Sequence, residues 1–259
     1  MAKNLVFYFS GTGNSLHMAK TIAQTLGDTE LFPLPAALRG RRPSEAAYER
    51  VGFVFPVYFW GMPNLVSRFL AQAELPRADY LFAAVNYGGL PGNCLGQLKR
   101  ALVARGLPLH AAFSLKMPGN YLAAYNVFKN SERSAIAAQA KIERIAELIL
   151  QKQPKNPPPL GFLFPSFSSS RAALPKKDEL FEVSAACTGC GSCAALCPVQ
   201  NIEPNEEGKP RFLHRCEQCM ACAQSCPALA IGFRGARRAE RRYKHPGVSW
   251  AELRAANRD

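Results

Sequence analysis

From Leu5 to about Leu150, short runs of β-branched and aromatic residues alternate with longer stretches in which apolar positions recur every three or four residues. Runs of the first kind suit strands buried on both faces, and stretches of the second suit helices with one apolar stripe. The pattern predicts strands at 5–9, 30–32, 51–55, 80–86 and 109–116, and helices at 15–26, 63–72, 93–105 and 131–151. The last helix carries Ile136, Ile142, Ile145, Leu148 and Ile149 as its stripe, with Ser131 as N-cap. Five strands with interleaved helices predict an α/β fold with a doubly wound, five-stranded parallel sheet.

The pattern changes after this region. Residues 152–180 hold six prolines and a serine run at 168–170, which reads as an extended connector. Leu160, Phe162, Leu163, Phe164 and Phe167 lie within it, so it is expected to strap against a surface. The division is then 1–151 for the first domain, 152–180 for the connector, 181–235 for a small α+β domain and 236–259 for a basic tail. That tail region, with Arg234, Arg237, Arg238, Arg241, Arg242 and Lys244 nearby, reads as a solvated face.

Eight of the nine cysteines fall within forty residues, in two runs of identical spacing, CTGCGSCAALCP from Cys187 and CEQCMACAQSCP from Cys216. Such clustering points to metal and not to disulfides. Each run follows C-x2-C-x2-C-x3-C-P, in which one tight loop supplies three thiolates to a cubane and the fourth cysteine turns toward the other cluster. Cys187, Cys190, Cys193 and Cys226 are assigned to one [4Fe-4S] cluster, and Cys216, Cys219, Cys222 and Cys197 to the other. Structural zinc also uses C-x2-C pairs, but it gives no reason for the repeated C-x3-C-P. The ninth cysteine, Cys94, stands alone and reads as a small apolar side chain.

The first strand runs directly into Ser10-Gly11-Thr12-Gly13-Asn14-Ser15, and a helix follows. Backbone N–H groups at such a turn, aided by the helix dipole and three hydroxyls, make a phosphate site. No lysine follows the glycines, and G-x-G-x-x-G is missing, so neither a nucleoside triphosphate nor a dinucleotide is expected. Ligands of open sheets lie at the C-terminal ends of the strands. There the chain offers Pro56-Val57-Tyr58-Phe59-Trp60-Gly61 and Asn86-Tyr87-Gly88-Gly89, with Tyr58, Trp60 and Tyr87 able to stack on a planar ring. Met117-Pro118-Gly119-Asn120-Tyr121 is a further loop that either covers such a ligand, faces the cysteine domain or merely connects.

These segments carry two resemblances. Residues of about 183–233 resemble a bacterial two-cluster ferredoxin domain. Ser10 to Ser15 resembles the flavodoxin phosphate loop, in which hydroxyls and amides enclose the phosphate of FMN. Across roughly 3–250 the chain is similar to anaerobic flavodoxin/ferredoxin fusions. The resemblance implies a flavodoxin-like doubly wound sheet followed by a small ferredoxin domain, holding FMN and two [4Fe-4S] clusters, and passing electrons to or from a redox partner protein. A reduction of a small acceptor, such as a quinone or NAD(P), at the flavin is the alternative it leaves open.

The formal charge of +13 first suggests nucleic-acid binding. Eight thiolates, two oxidised cluster cores and one phosphate would bring the balance to about +7. An acidic redox partner is therefore expected and nucleic acid is not. No apolar run is long enough to span a bilayer and no signal pattern precedes the first strand, so a cytoplasmic protein is expected. No catalytic acid or base is assigned: His17, His110, His214 and His245 are scattered along the chain and read as surface or packing residues.

Overall fold

Strand β1 (Asn4–Tyr8) alternates its side chains between two cores, and this alternation organises the N-terminal domain. Leu5, Phe7 and Phe9 point to one side, while Val6 and Tyr8 point to the other. β3 (Ala47–Pro56) and β4 (Arg77–Tyr87) repeat the arrangement, as a period of two requires. A computed structural model describes residues 2–124, 129–158, 172–236 and 241–258. With β2 (Thr29–Pro33) and β5 (Ala111–Lys116), these strands form a parallel sheet in the order β2-β1-β3-β4-β5.

Helices cover both faces, because neither face could remain in water. α3 (Asn64–Gln72) and α4 (Cys94–Val103) bury Phe69, Leu70, Leu98 and Leu102 on one side, and Cys94 is fully enclosed there. Phe7 lies against Phe53 and Phe69, with centroids 5.7 and 4.9 Å away. Each such buried ring contributes roughly 1.5–3 kcal/mol relative to exposure. α1 (Asn14–Leu26) covers the other face together with the long helical segment after β5.

That segment differs from the single predicted helix. It divides at Ala138 into α5 (Ser131–Ala137) and α6 (Gln139–Leu150). Ile142 and Ile149 are buried, but Ile136 is 63% exposed because it precedes the break. The N-cap is Asn130, and Ser131 is the first helical residue. A short α2 (Leu34–Leu38), which the periodicity does not predict, follows β2. Lys155 bridges Ala111 beside β5, while the predicted strap at 160–167 lies outside the described residues.

The cysteine domain begins after a 3₁₀ turn at Pro175–Leu180. β6 (Phe181–Val183) pairs with β9 (Ile231–Phe233), and β7 (Ile202–Pro204) with β8 (Pro210–Phe212). Helices α7 (Ser192–Ala195) and α8 (Ala221–Ser225) follow the two cysteine loops. The sequence repeat is also a backbone repeat. Gly189, Gly191 and Gln200 have positive φ in the first half, and Gln218, Met220 and Leu229 do so at the equivalent places in the second.

Residues 241–258 correct the reading of a solvated tail. Tyr243 is 1% exposed, and α9 (Trp250–Arg258) buries Leu253 and Ala256 against the α1 side of the sheet. Arg242 and Lys244 are half-buried and donate to the Ile231 and Val248 carbonyls, while Arg241 stays exposed. Arg237 and Arg238 lie outside the described residues. No described helix is long and apolar enough to cross a membrane.

Candidate functional site

The ends of β1, β3, β4 and β5 and the loops beyond them line a cavity of about 300 Å³. Ser10, Gly11, Thr12, Asn14 and Ser15 form one part of its wall. Pro56, Val57, Tyr58, Phe59 and Trp60, with Asn86, Tyr87, Gly88 and Gly89, form another. Two predicted residues do not line it. Gly13 has φ 101° and turns toward His245 and Val248, and Gly61 closes the loop by exchanging hydrogen bonds with Tyr58. Pro118, Gly119, Asn120 and Tyr121 complete the wall, which settles where that loop goes.

The hydroxyls are prepared as donors. Ser10 Oγ accepts the Gly13 N–H at 3.1 Å, Thr12 Oγ1 accepts from Asn120 Nδ2 at 2.8 Å, and Ser15 Oγ accepts from Asn86 Nδ2 at 2.6 Å. Each hydroxyl already accepts a hydrogen bond, so its own O–H remains to be donated. All three residues are 2% exposed or less and sit at the N-terminus of α1, where the helix dipole adds positive potential. Donors without a formal cation fit a phosphate ester.

The loop after β3 is strained. Phe59 and Trp60 have φ of 49° and 57°, and the turn is held by Tyr58 N–H to Gly61 O at 3.0 Å and its reciprocal at 2.9 Å. Left-handed backbone costs roughly 1–2 kcal/mol for a residue with a Cβ, so this turn is held by its surroundings. Gly92, whose added Cβ would lie 2.1 Å from the Trp60 carbonyl oxygen, leaves room for it. Tyr58 packs edge-on to Phe9 at 6.0 Å, Phe59 meets Tyr121 at 5.2 Å, and Trp60 stands 45% exposed at the mouth.

The cysteines divide between two further cavities. Cys187, Cys190, Cys193 and Cys226 line one of about 170 Å³. Cys197, Cys216, Cys219 and Cys222 line a narrower one, with Phe181 and Phe212 in its wall. Among the described residues no three metal-binding side chains close on a single-ion position. The first set is the outer one. Cys190 is exposed, and hydrogen bonds from Ser192 hold its thiol below the ordinary range. In the inner set, burial pushes Cys216 up to about 12 and Cys219 and Cys222 well above the usual value, so a cationic core is needed to keep these sulfurs as thiolates. Backbone N–H groups of Asn201, Gln218 and Ala230 donate to Cys197, Cys216 and Cys226 at 3.1, 3.2 and 3.2 Å, contacts of the kind that tune cluster potentials.

The inner cysteine loop also touches the first cavity. A Cβ on Gly11 would lie 2.6 Å from the Cys219 carbonyl oxygen, and Cys219 and Ala221 pack into the core of the N-terminal domain. Leu90, in the predicted loop after β4, lines the first cavity too, as do Gln218 and Ala124, which the sequence does not predict. The C-terminal segment supports the same loop. Tyr243 donates to Asn14 Oδ1 at 2.6 Å, His245 N–H to Thr12 O at 2.9 Å, and Asn257 bonds both Ser10 O and Leu196 O. Among the histidines, His110 accepts the Leu81 N–H, His214 pairs with buried Asp178 at 2.7 Å, and His17 and His245 stack at 4.0 Å.

The family of 4Fe-4S dicluster domains matches residues 186–231. A ferredoxin of Pyrobaculum islandicum is 36% identical over 61 residues, which is 23% of this chain, and the chain spans 57% of that relative's length. Solved structures similar to the N-terminal part include a flavodoxin from the domain Archaea, with 16% identity and a TM-score of 0.39 over 57% of this chain and 98% of that one. A flavoprotein in complex with FMN from Lactobacillus acidophilus has 16% identity and a TM-score of 0.35 over 44% and 93%. The strand order 2-1-3-4-5 is itself that of flavodoxins, with the ligand crevice where the order reverses. The protein thus joins a parallel sheet of flavodoxin-like strand order to a segment that matches the family of 4Fe-4S dicluster domains.

Proposed function

We propose that the protein is an electron relay with FMN in the crevice of the sheet and two [4Fe-4S] clusters in the cysteine domain. The outer cluster is held by Cys187, Cys190, Cys193 and Cys226, and the inner by Cys197, Cys216, Cys219 and Cys222. Flavin supplies one- and two-electron chemistry and the clusters single-electron steps. The remaining work belongs to the chain. Ser10, Thr12 and Ser15 donate to the phosphate, the strained turn at Phe59 and Trp60 shapes the ring site, and buried aromatic residues exclude water around the inner cysteines.

The contact between Gly11 and Cys219 carries this reading, because it sets the inner cysteine loop against the phosphate loop with no space between. The exposed Cys190 side then faces a partner, and net basic charge favours an acidic one. Anaerobically purified protein should hold FMN without FAD and about eight iron and eight sulfide per chain. Thr12→Glu, which puts a carboxylate among the three hydroxyls, should expel FMN while iron stays. Rapid one-electron reduction of the clusters should reduce the flavin at a rate independent of protein concentration. A rate proportional to concentration would show transfer between molecules and sink the relay, and zinc without sulfide would sink the clusters.

A further inference from the structure

Gln218 is the residue of the inner cysteine loop that does not face the inner cysteines. Glu217, Cys219, Met220 and Ala221 wall the narrow cavity, but Gln218 lines the crevice of the other domain. Its side chain is 2% exposed, and neither Nε2 nor Oε1 has a hydrogen-bond partner. A buried carboxamide with both ends unpaired is costly and calls for a ligand that supplies an acceptor and a donor together.

Its backbone makes the same point. Gln218 has φ 54°, and the equivalent position in the first repeat is Gly189 at φ 67°. Glycine occupies this conformation without strain, whereas a side chain does not. The second repeat nevertheless keeps a long polar side chain here, aimed into a cavity. Meanwhile the Gln218 N–H donates to Cys216 Sγ at 3.2 Å, so one residue touches a proposed cluster ligand and the crevice at once.

We infer that Gln218 is a flavin-binding residue contributed by the ferredoxin domain, its carboxamide pairing with the polar edge of the isoalloxazine ring. The inference rests on the proposal that FMN occupies the crevice. A phosphate offers acceptors alone and would leave Oε1 unpaired; the ring edge alternates C=O and N–H and satisfies both ends. The FMN site is then complete only when the two domains are docked.

The test is Gln218→Gly in the full chain with its clusters in place, backed by Gln218→Leu, which keeps the bulk and loses the amide. The Gly variant should fold at least as well as the parent and keep its iron, because the left-handed backbone is relieved. FMN, removed and titrated back anaerobically, should bind about tenfold more weakly to both variants, as the loss of one or two hydrogen bonds implies. Riboflavin should weaken by the same factor, and the absorption band of the bound flavin should shift. Unchanged FMN affinity in variants that retain iron overturns the inference and leaves the FMN site standing. Weakening for FMN but not for riboflavin overturns it too, since the amide would then serve the phosphate. Failure of the parent chain to bind any flavin removes both the site and the inference.

Discussion

Gly11 and Cys219 meet backbone to side: the place where a Gly11 Cβ would stand is 2.6 Å from the Cys219 carbonyl oxygen and 3.1 Å from the Cys219 Cβ. One residue belongs to the turn after the first strand, and the other to a loop more than two hundred positions later. The Tyr58 hydroxyl lies 3.0 Å from the same point. Glycine is required here by close approach, since the nearest obstructing atom, the Cys219 carbonyl oxygen, is main chain and cannot rotate away.

Gly11→Ala should therefore push the two loops apart. Overpacking of this kind costs about 1–3 kcal/mol. A lower urea midpoint, together with slower flavin reduction by the clusters within the molecule, is the expected outcome. An alanine variant with unchanged midpoint and unchanged rate would show that the contact is not tight in solution.

The two cysteine cavities predict crossed cluster ligation. Cys197→Ala should remove the same electron paramagnetic resonance signal as Cys222→Ala, although the two residues lie in different runs. Cys226→Ala should instead remove the signal lost in Cys190→Ala. About half of the iron should remain in each case. If Cys197→Ala matched Cys190→Ala, each run would hold its own cluster.

Tyr243→Phe tests whether the C-terminal segment supports the phosphate loop. The hydroxyl donates to Asn14 Oδ1 at 2.6 Å, and Asn14 Nδ2 donates in turn to Pro118 O at 3.0 Å. Removing the hydroxyl leaves a buried acceptor unpaired, at a cost of roughly 1–3 kcal/mol. Chemical denaturation should show that loss, and FMN should dissociate faster because Asn14 is less firmly held.

His245 predicts a dependence on pH. Burial, then the neighbouring His17 and Lys244, lower its value from 6.5 to about 3. The ring is thus neutral in the folded chain, and its Nδ1 accepts the Gly247 N–H at 3.1 Å. Between pH 6.5 and 3 the unfolded chain binds the extra proton, so stability is full above pH 6.5 and falls as pH drops through it. The slope is at most about 1.4 kcal/mol per pH unit. Denaturation between pH 7.5 and 5.5 should show this decline in the parent and a flatter curve in His245→Gln. Parallel curves would exclude the histidine as the cause.

Some of this site is visible in the chain because it is local. A cubane needs three thiolates from one short loop, and a phosphate turn needs its hydroxyls and glycines in succession, so Cys187, Cys216 and Ser10 to Ser15 announce themselves by spacing. The strands show through their twofold alternation, although β2 is weak and α2 gives no periodic signal. The break at Ala138 also escapes, since its residues all favour helix.

The sequence by itself thus determined the candidate groups: two cysteine sets and one loop rich in hydroxyls and glycines at the end of a buried strand. Tertiary structure alone decided how they meet. Gln218 looks like an ordinary spacer between cysteines, His17 and His245 look scattered, and the segment after Arg241 looks like solvated charge. Their roles follow from contacts such as Tyr243 with Asn14 and Gly11 with Cys219, formed between residues far apart in the chain. Periodicity reports which face of an element is buried and not what buries it. The partner is selected by shape and hydrogen bonding across the docked domains, which no local pattern encodes.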